Sequence, residues 1–226
     1  MEKKQLSQIT RADLTRLAEL VDQEIRDEPW ATFEKRPLSA EDEQQVAQVL
    51  RRYRGIHVAL INEATLWSRL VYPLLLTAER EPIKAWAEVP IFARIADFEI
   101  QGVVDGALAA GADAPRAPLL LIMECKRGTE ATNPIHALYA ALLCVGWNEV
   151  EAHGGDEHTC HGCFTIADTW TFIEAEVFAP KGARPRIVVR SSREYSEKLE
   201  AHLILAVLKS IEDRWLAKLA PAEPPR

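Results

Sequence analysis

The sequence predicts a mixed α/β fold: one central mixed sheet flanked by helices, with extra helices at both ends of the chain. Three observations carry that expectation. Leu119 to Met123 is an unbroken apolar run, the pattern of a strand buried on both faces. Strand-like segments lie on either side of it, Phe98 to Leu108 before and Cys163 to Ile166 and Thr169 to Phe178 after. Apolar residues at threes and fours, the helical period, mark most of the other long segments. The order is helix, strand, strand, strand, helix, strand, strand, which closes as helices packed on one sheet.

Taken in order, Ile9, Leu14, Leu17, Leu20, Val21 and Ile25 predict a helix over Ser7 to Arg26, and Pro29 to Pro37 break it. Ser39, followed by Asp42 and Glu43, caps a second helix to about Arg54, which Gly55 stops. Residues 1–55 therefore read as a helical extension onto an α/β domain over 56–220. Asn62 caps a third helix, Glu63 to Glu79, with Leu66, Leu70, Leu74 and Leu75 as its buried stripe and a kink expected at Pro73. Ile83 to Arg94 reads as a strand in which Pro90 marks a bulge or an edge. Ala109 to Pro118 reads as a loop.

Thr132 or Asn133, with Pro134 in the first turn, starts a helix through Ala137, Leu138, Ala141, Leu142 and Val145. Its small residues permit close packing on a sheet. His153 to His158 is expected as a loop, Arg186 to Val189 as a short strand, and Tyr195 to Leu219 as a long closing helix. Residues 221–226 are expected to be a flexible tail.

Composition narrows the function. Hydrophobic residues at 48% and charged residues at 27% suit a folded chain with a core of its own. No apolar stretch approaches the ~20 residues of a membrane span, and the polar opening Met-Glu-Lys-Lys-Gln lacks the apolar core of a signal peptide. Four cysteines are too few for a disulfide scaffold in a chain this long. A cytoplasmic protein with reduced thiols is expected, without a membrane partner. The formal net charge of −7 argues against a broad nucleic-acid surface. It leaves room for local basic clusters, at Arg51, Arg52 and Arg54 and at Lys181, Arg184, Arg186, Arg190 and Arg193.

The buried strand ends in Glu124-Cys125-Lys126. Strand side chains alternate, so Glu124 and Lys126 share one side and Cys125 takes the other. Charges at the end of a buried strand cost free energy unless they are paired, hydrated or metal-bound. Asp105 lies between Gly102 and Gly106 on the preceding strand. Two carboxylates and an ammonium thus converge at one sheet edge. Mg²⁺ takes oxygen ligands and keeps waters, so Asp105, Glu124 and the Cys125 carbonyl make a sufficient set, with Mn²⁺ as a substitute. The bland alternative is a structural ion-pair network.

Val-Val-Asp105-Gly followed by Glu124-Cys125-Lys126 resembles the signature of the PD-(D/E)xK nuclease superfamily. Asn62-Glu63, leading into Leu70 to Leu75, looks like the opening helix of the nuclease domain of type I restriction enzyme motor subunits. The helix after Lys126 and the hairpin bearing Trp170 and Phe172 are similar to that domain's next elements. The resemblance covers roughly Glu63 to Phe178. It implies a restriction-endonuclease-like core and Mg²⁺-dependent hydrolysis of DNA, in defence, repair or mobile-element biology. It implies Asp105 and Glu124 as metal ligands, Lys126 as the catalytic lysine, and Glu63 as an outer or second-metal ligand. The family often places a Gln and a Tyr one turn apart on the following helix. Here Tyr139 fits, as a substrate-binding residue, while Ile135 holds the Gln position and His136 adjoins it. The alternative is a non-catalytic binding or scaffold protein on the same core. Its partner or a second copy would dock on the terminal helices.

Other signals are weaker. Cys160 and Cys163 form a single CxxC, half of a zinc site, and are read as reduced thiols at the start of a hairpin. Trp147 and Trp170 have the chemistry to stack on bases but read as core. No Walker loop, dinucleotide fingerprint or Ser-His-Asp arrangement is present, so a motor activity is not expected of this chain.

Overall fold

The computed structural model describes residues 1–23, 29–128, 134–180 and 183–219. It is a mixed α/β structure whose eight strands form one mixed sheet flanked by helices. The expected flexible tail, the cap at Thr132 or Asn133, Ile25, Arg26 and Lys181 all lie outside the described residues.

The strands are β1 (Glu2–Gln5), β2 (Glu19–Gln23), β3 (Ile83–Ile95), β4 (Phe98–Ala110), β5 (Arg116–Lys126), β6 (Glu157–Ile166), β7 (Thr169–Phe178) and β8 (Arg186–Ser196). The helices are α1 (Arg11–Leu17), α2 (Trp30–Phe33), α3 (Ala40–Arg51), α4 (Glu63–Leu66), α5 (Tyr72–Leu76), α6 (Ile135–His153) and α7 (Glu197–Leu219). Across the sheet the path is β3, β4, β5, β6, β7, β8, β2, while β1 pairs with β4 beyond the stretch where β5 does. The β3–β4, β4–β5, β6–β7 and β7–β8 pairs are antiparallel. The β5–β6 pair is parallel, joined by the crossover helix α6 as a parallel pair requires.

Two apolar clusters cover the two faces. One joins α1 and α6 to the sheet and takes Ile122 from β5. The other joins α2, α3, α4, α5 and α7 and takes Leu121, Met123 and Cys125. The expected burial of this strand on both faces is what the structure shows. The small residues of α6 also do what was expected of them: a Cβ at Gly146 would lie 2.5 Å from Val177 on β7. The closing helix α7 buries Ala201, Ile204, Leu205, Leu208 and Ile211, so its apolar face belongs to the core.

The N-terminal segment departs from expectation. The helix predicted over Ser7 to Arg26 is only the seven residues of α1. β1 lies parallel to Phe98–Gln101 and β2 parallel to Arg186–Arg190, so the first 23 residues put strands at two places in the sheet. Leu20 and Val21, which extend the helical stripe in sequence, sit in β2. The reason is a distant residue. Arg184 donates to the carbonyls of Thr15 and Ala18, satisfying orphan carbonyls at the helix end, and Ala18 is extended (φ −143°, ψ 162°).

The other elements hold with adjustments. Ser39 and Asp42 form the capping box of α3, and Asn62 caps α4. Pro73 lies in the first turn of α5. A π-turn, Trp67–Val71, precedes it, with Tyr72 N–H donating to the Trp67 carbonyl. Such turns insert an extra residue where the regular ladder fails. Trp30–Phe33 form a short helix inside the expected break; Trp30 is buried, meets Phe33 edge-on at 5.6 Å and stacks on Phe172 at 5.9 Å. No helix among the described residues is long and apolar enough to cross a membrane.

Candidate active site

The site forms where β4 changes partners. Gly106–Ala110 pair with β5, and Phe98–Gln101 pair with β1. Asp105 stands at the point of divergence, one residue past the last β4–β5 pair, Gly106↔Met123. Its carboxylate continues the ladder by other means: the Cys125 N–H donates to Asp105 Oδ2 at 2.6 Å. Across from it on β3, Glu88 has φ 53°, while the pairs on either side, Ala87↔Gly106 and Val89↔Val104, keep a single register.

Glu124 and Lys126 share one side of β5, as alternation demands. The Lys126 Nζ donates to the Cys125 carbonyl at 2.9 Å and lies 3.5 Å from Glu63, 3.7 Å from Asp105 and 3.8 Å from Glu124. Four of the five predicted centre residues thereby meet round the fifth. Glu63 reaches the cluster from α4 and also accepts the Arg127 N–H at 3.3 Å. It gets there because Gly106 has no side chain: a Cβ at Gly106 would sit 2.6 Å from the Trp67 ring. Trp67, one helical turn after Glu63, lies against that bare strand and seats the helix. Its ring also leans on Tyr72 at 5.1 Å, and Tyr72 donates to the Ala85 carbonyl on β3. Gly106 and Trp67 are positions supporting the cluster that motif reasoning missed. The signal for them was the Gly flanking Asp105 and an aromatic four residues beyond Glu63.

The electrostatics are those of crowded carboxylates. Burial, then the neighbouring Asp105 charge, pushes Glu124 up to about 8. Burial also raises Asp105, against the opposing Cys125 N–H and Lys126. For Lys126, burial works against the charge, but Asp105, Glu124 and Glu63 together outweigh it and its pKa is raised. Three carboxylates against one ammonium leave a formal charge of −2 when all are ionised. Among the described residues no trio of His, Cys, Asp and Glu side chains is drawn into a metal cage; the ammonium stands between them. The donor set of carboxylate and carbonyl oxygens with this charge nonetheless fits a hard divalent cation, with the ammonium displaced from the shared oxygens.

Other predicted residues lie elsewhere. Tyr139 is buried, and its hydroxyl donates to Asp22 on β2 at 3.4 Å; no contact joins it to the carboxylate cluster. Cys160 and Cys163 both lie within β6 and project to opposite faces, one into each apolar cluster. Three residues apart on a strand, they cannot grip one ion together. Trp170 is fully buried and its indole N–H donates to Glu197 at 2.8 Å, while Trp147 packs on the core. In the second basic cluster, Arg190 pairs with Glu176, Arg193 with Glu34 and Glu200, and Arg186 lies over Phe178.

No family model matches the chain, and no curated protein matches it.

Proposed function

We propose that this chain is a divalent-metal-dependent nuclease with a restriction-endonuclease-like core, hydrolysing phosphodiester bonds in DNA. One observation carries the reading: Glu63, Asp105, Glu124 and the Cys125 carbonyl converge round the Lys126 ammonium at the end of a strand buried on both faces. Three carboxylates gathered round one ammonium leave uncompensated negative charge, which disfavours their ionisation unless another cation shares the site. Mg²⁺ or Mn²⁺, held by Asp105, Glu124 and the Cys125 carbonyl with Glu63 outside them, would supply Lewis-acid polarisation and a more acidic water.

The chain's own groups do the rest. Hydrolysis forms one P–O bond from water and breaks one to a sugar oxygen, which takes up a proton. Glu124, whose pKa is raised to about 8, would have to lose its proton to serve as a ligand. Lys126, whose pKa is also raised, keeps its charge and would stabilise the negative charge that builds on phosphorus. Asp105 stays fixed by the Cys125 N–H, which holds its oxygens in place.

The experiment is cleavage of DNA by purified protein in Mg²⁺ or Mn²⁺. Activity lost in both Glu124→Gln and Lys126→Ala supports the reading; activity surviving both overturns it. The second reading, a non-catalytic member of the same core, is favoured by the contacts of Lys126, which already balance part of the acidic charge. Titration calorimetry separates them: absence of heat with millimolar Mg²⁺ and Mn²⁺ selects the non-catalytic reading.

A further inference from the structure

We infer that Arg51, Arg52 and Arg54, at the C-terminal end of α3, form a phosphate-contacting surface that holds a nucleic-acid backbone beside the carboxylate site. The inference rests on the proposed function for its choice of partner, and on the following geometry for its place.

A short chain of contacts links the two regions. The Lys126 carbonyl accepts the Ala167 N–H at 2.9 Å, and the next residue's carbonyl, Asp168, accepts the Glu197 N–H at 2.7 Å. The Tyr53 hydroxyl faces Glu197, whose charge adds to burial in raising the phenol's pKa. Tyr53 is 7% exposed and belongs to the same apolar cluster as Cys125. It is therefore an anchor, and it pins the arginines on either side of it to the end of the molecule where the carboxylates lie.

These arginines are available. Arg51, Arg52 and Arg54 are exposed, and among the described residues none makes an ion pair, whereas Arg190, Arg193, Arg36, Arg80 and Arg214 all do. The helix dipole accounts for one cation at the end of α3, not for three of which two lie past its last turn. Lys198, next to Glu197, and Arg127, next to Lys126, add exposed cations in the same region. Ile166, paired with Lys126 across the sheet and 42% exposed, and Leu199, 75% exposed, put apolar surface among them. Cations interleaved with apolar side chains match the phosphates and the sugar or base edges of a nucleic acid. Guanidinium forks suit phosphate in particular.

The acidic site also needs such a counterweight. Its carboxylates repel a polyanion, and so does a chain with net charge −7; attraction has to come from cations at the flank.

The test is fluorescence anisotropy with a labelled DNA duplex and its single strand, in EDTA so that nothing is cut, over a series of salt concentrations. Each phosphate contact contributes about 0.9 to the salt slope for a duplex and about 0.7 for a single strand. The Arg51→Ala/Arg52→Ala/Arg54→Ala variant should lower the duplex slope by about 2 to 3 and weaken binding at low salt at least ~10-fold. The triple Lys variant, which keeps the charges, should keep most of the slope; this separates charge loss from misfolding. An unchanged slope and affinity in the alanine variant overturns the inference, as does wild-type protein that binds neither probe. Cleavage in Mn²⁺, measured in parallel, keeps the two readings apart. Wild-type protein that binds through the arginines without cutting sinks the nuclease reading alone. An alanine variant that binds and cuts like wild type sinks the surface alone.

Discussion

Replacing Glu124 by Gln should stabilise the metal-free protein, and only at high pH. Glu124 is 7% exposed, and burial with the adjacent Asp105 lifts its pKa from 4.5 to about 8. The folded pKa lies above the unfolded one, so between those values the folded state binds the extra proton. Stability is therefore lost as pH rises from about 4.5 to about 8, and the full penalty holds above that. At about 1.4 kcal/mol per pKa unit, that distance sets a ceiling of roughly 5 kcal/mol. Lys126 loses an attractive partner in the amide variant, and the site relaxes, so a gain of about 2 kcal/mol is expected near pH 8.5. For a chain of this size that is a rise in Tm of about 4 to 8 °C. Thermal and urea unfolding of both proteins in EDTA, near pH 5 and pH 8.5, gives the difference at each pH. It should be near zero at the lower pH and large at the higher. A variant that is less stable at high pH, or a difference that does not change with pH, would refute the argument that Glu124 is held against its charge.

Divalent-cation binding should be proton-coupled: below about pH 8 affinity falls by up to ~10-fold per pH unit, with about one proton released near neutrality and fewer near pH 9. Calorimetry in buffers of different ionisation heat reads this directly, and binding without proton release contradicts it. Gly106→Ala should push Trp67 off β4, costing about 1 to 3 kcal/mol and lowering cleavage further by displacing Glu63. Adding Trp67→Leu should recover part of both losses, and wild-type melting and cleavage by the single variant would show that the close approach is unimportant. Lys126→Met should raise cation affinity, because the ammonium no longer competes for the Cys125, Glu63 and Asp105 oxygens, while ending cleavage; weaker binding would show that Lys126 holds the ligands in place instead.

The sheet's centre and the site were legible because both write locally. The run from Leu119 to Met123 ending in Glu124-Cys125-Lys126 specifies a buried strand with charges at its end, and alternation then fixes which side chains share a face. Asp105 and Glu63 could be added because each sits beside a recognisable signal, a glycine pair and a helix cap. β1 and β2 were not legible. They are four and five residues long with no buried residue, and their pairing depends on Phe98–Gln101 and Arg186–Arg190, far along the chain. Leu20 and Val21 fit a helical stripe equally well until Arg184 closes α1. Tyr139 shows the opposite limit. The family resemblance, through its Gln–Tyr pattern on the following helix, offered it to the site, but tertiary packing turns its hydroxyl to Asp22.

Anomalous diffraction from a crystal soaked in Mn²⁺ tests the central claim most directly. The account predicts a peak bounded by Asp105, Glu124 and the Cys125 carbonyl, with the Lys126 ammonium moved from its present contacts. A soak at millimolar Mn²⁺ that leaves Lys126 in place, with no peak among those oxygens, would contradict it.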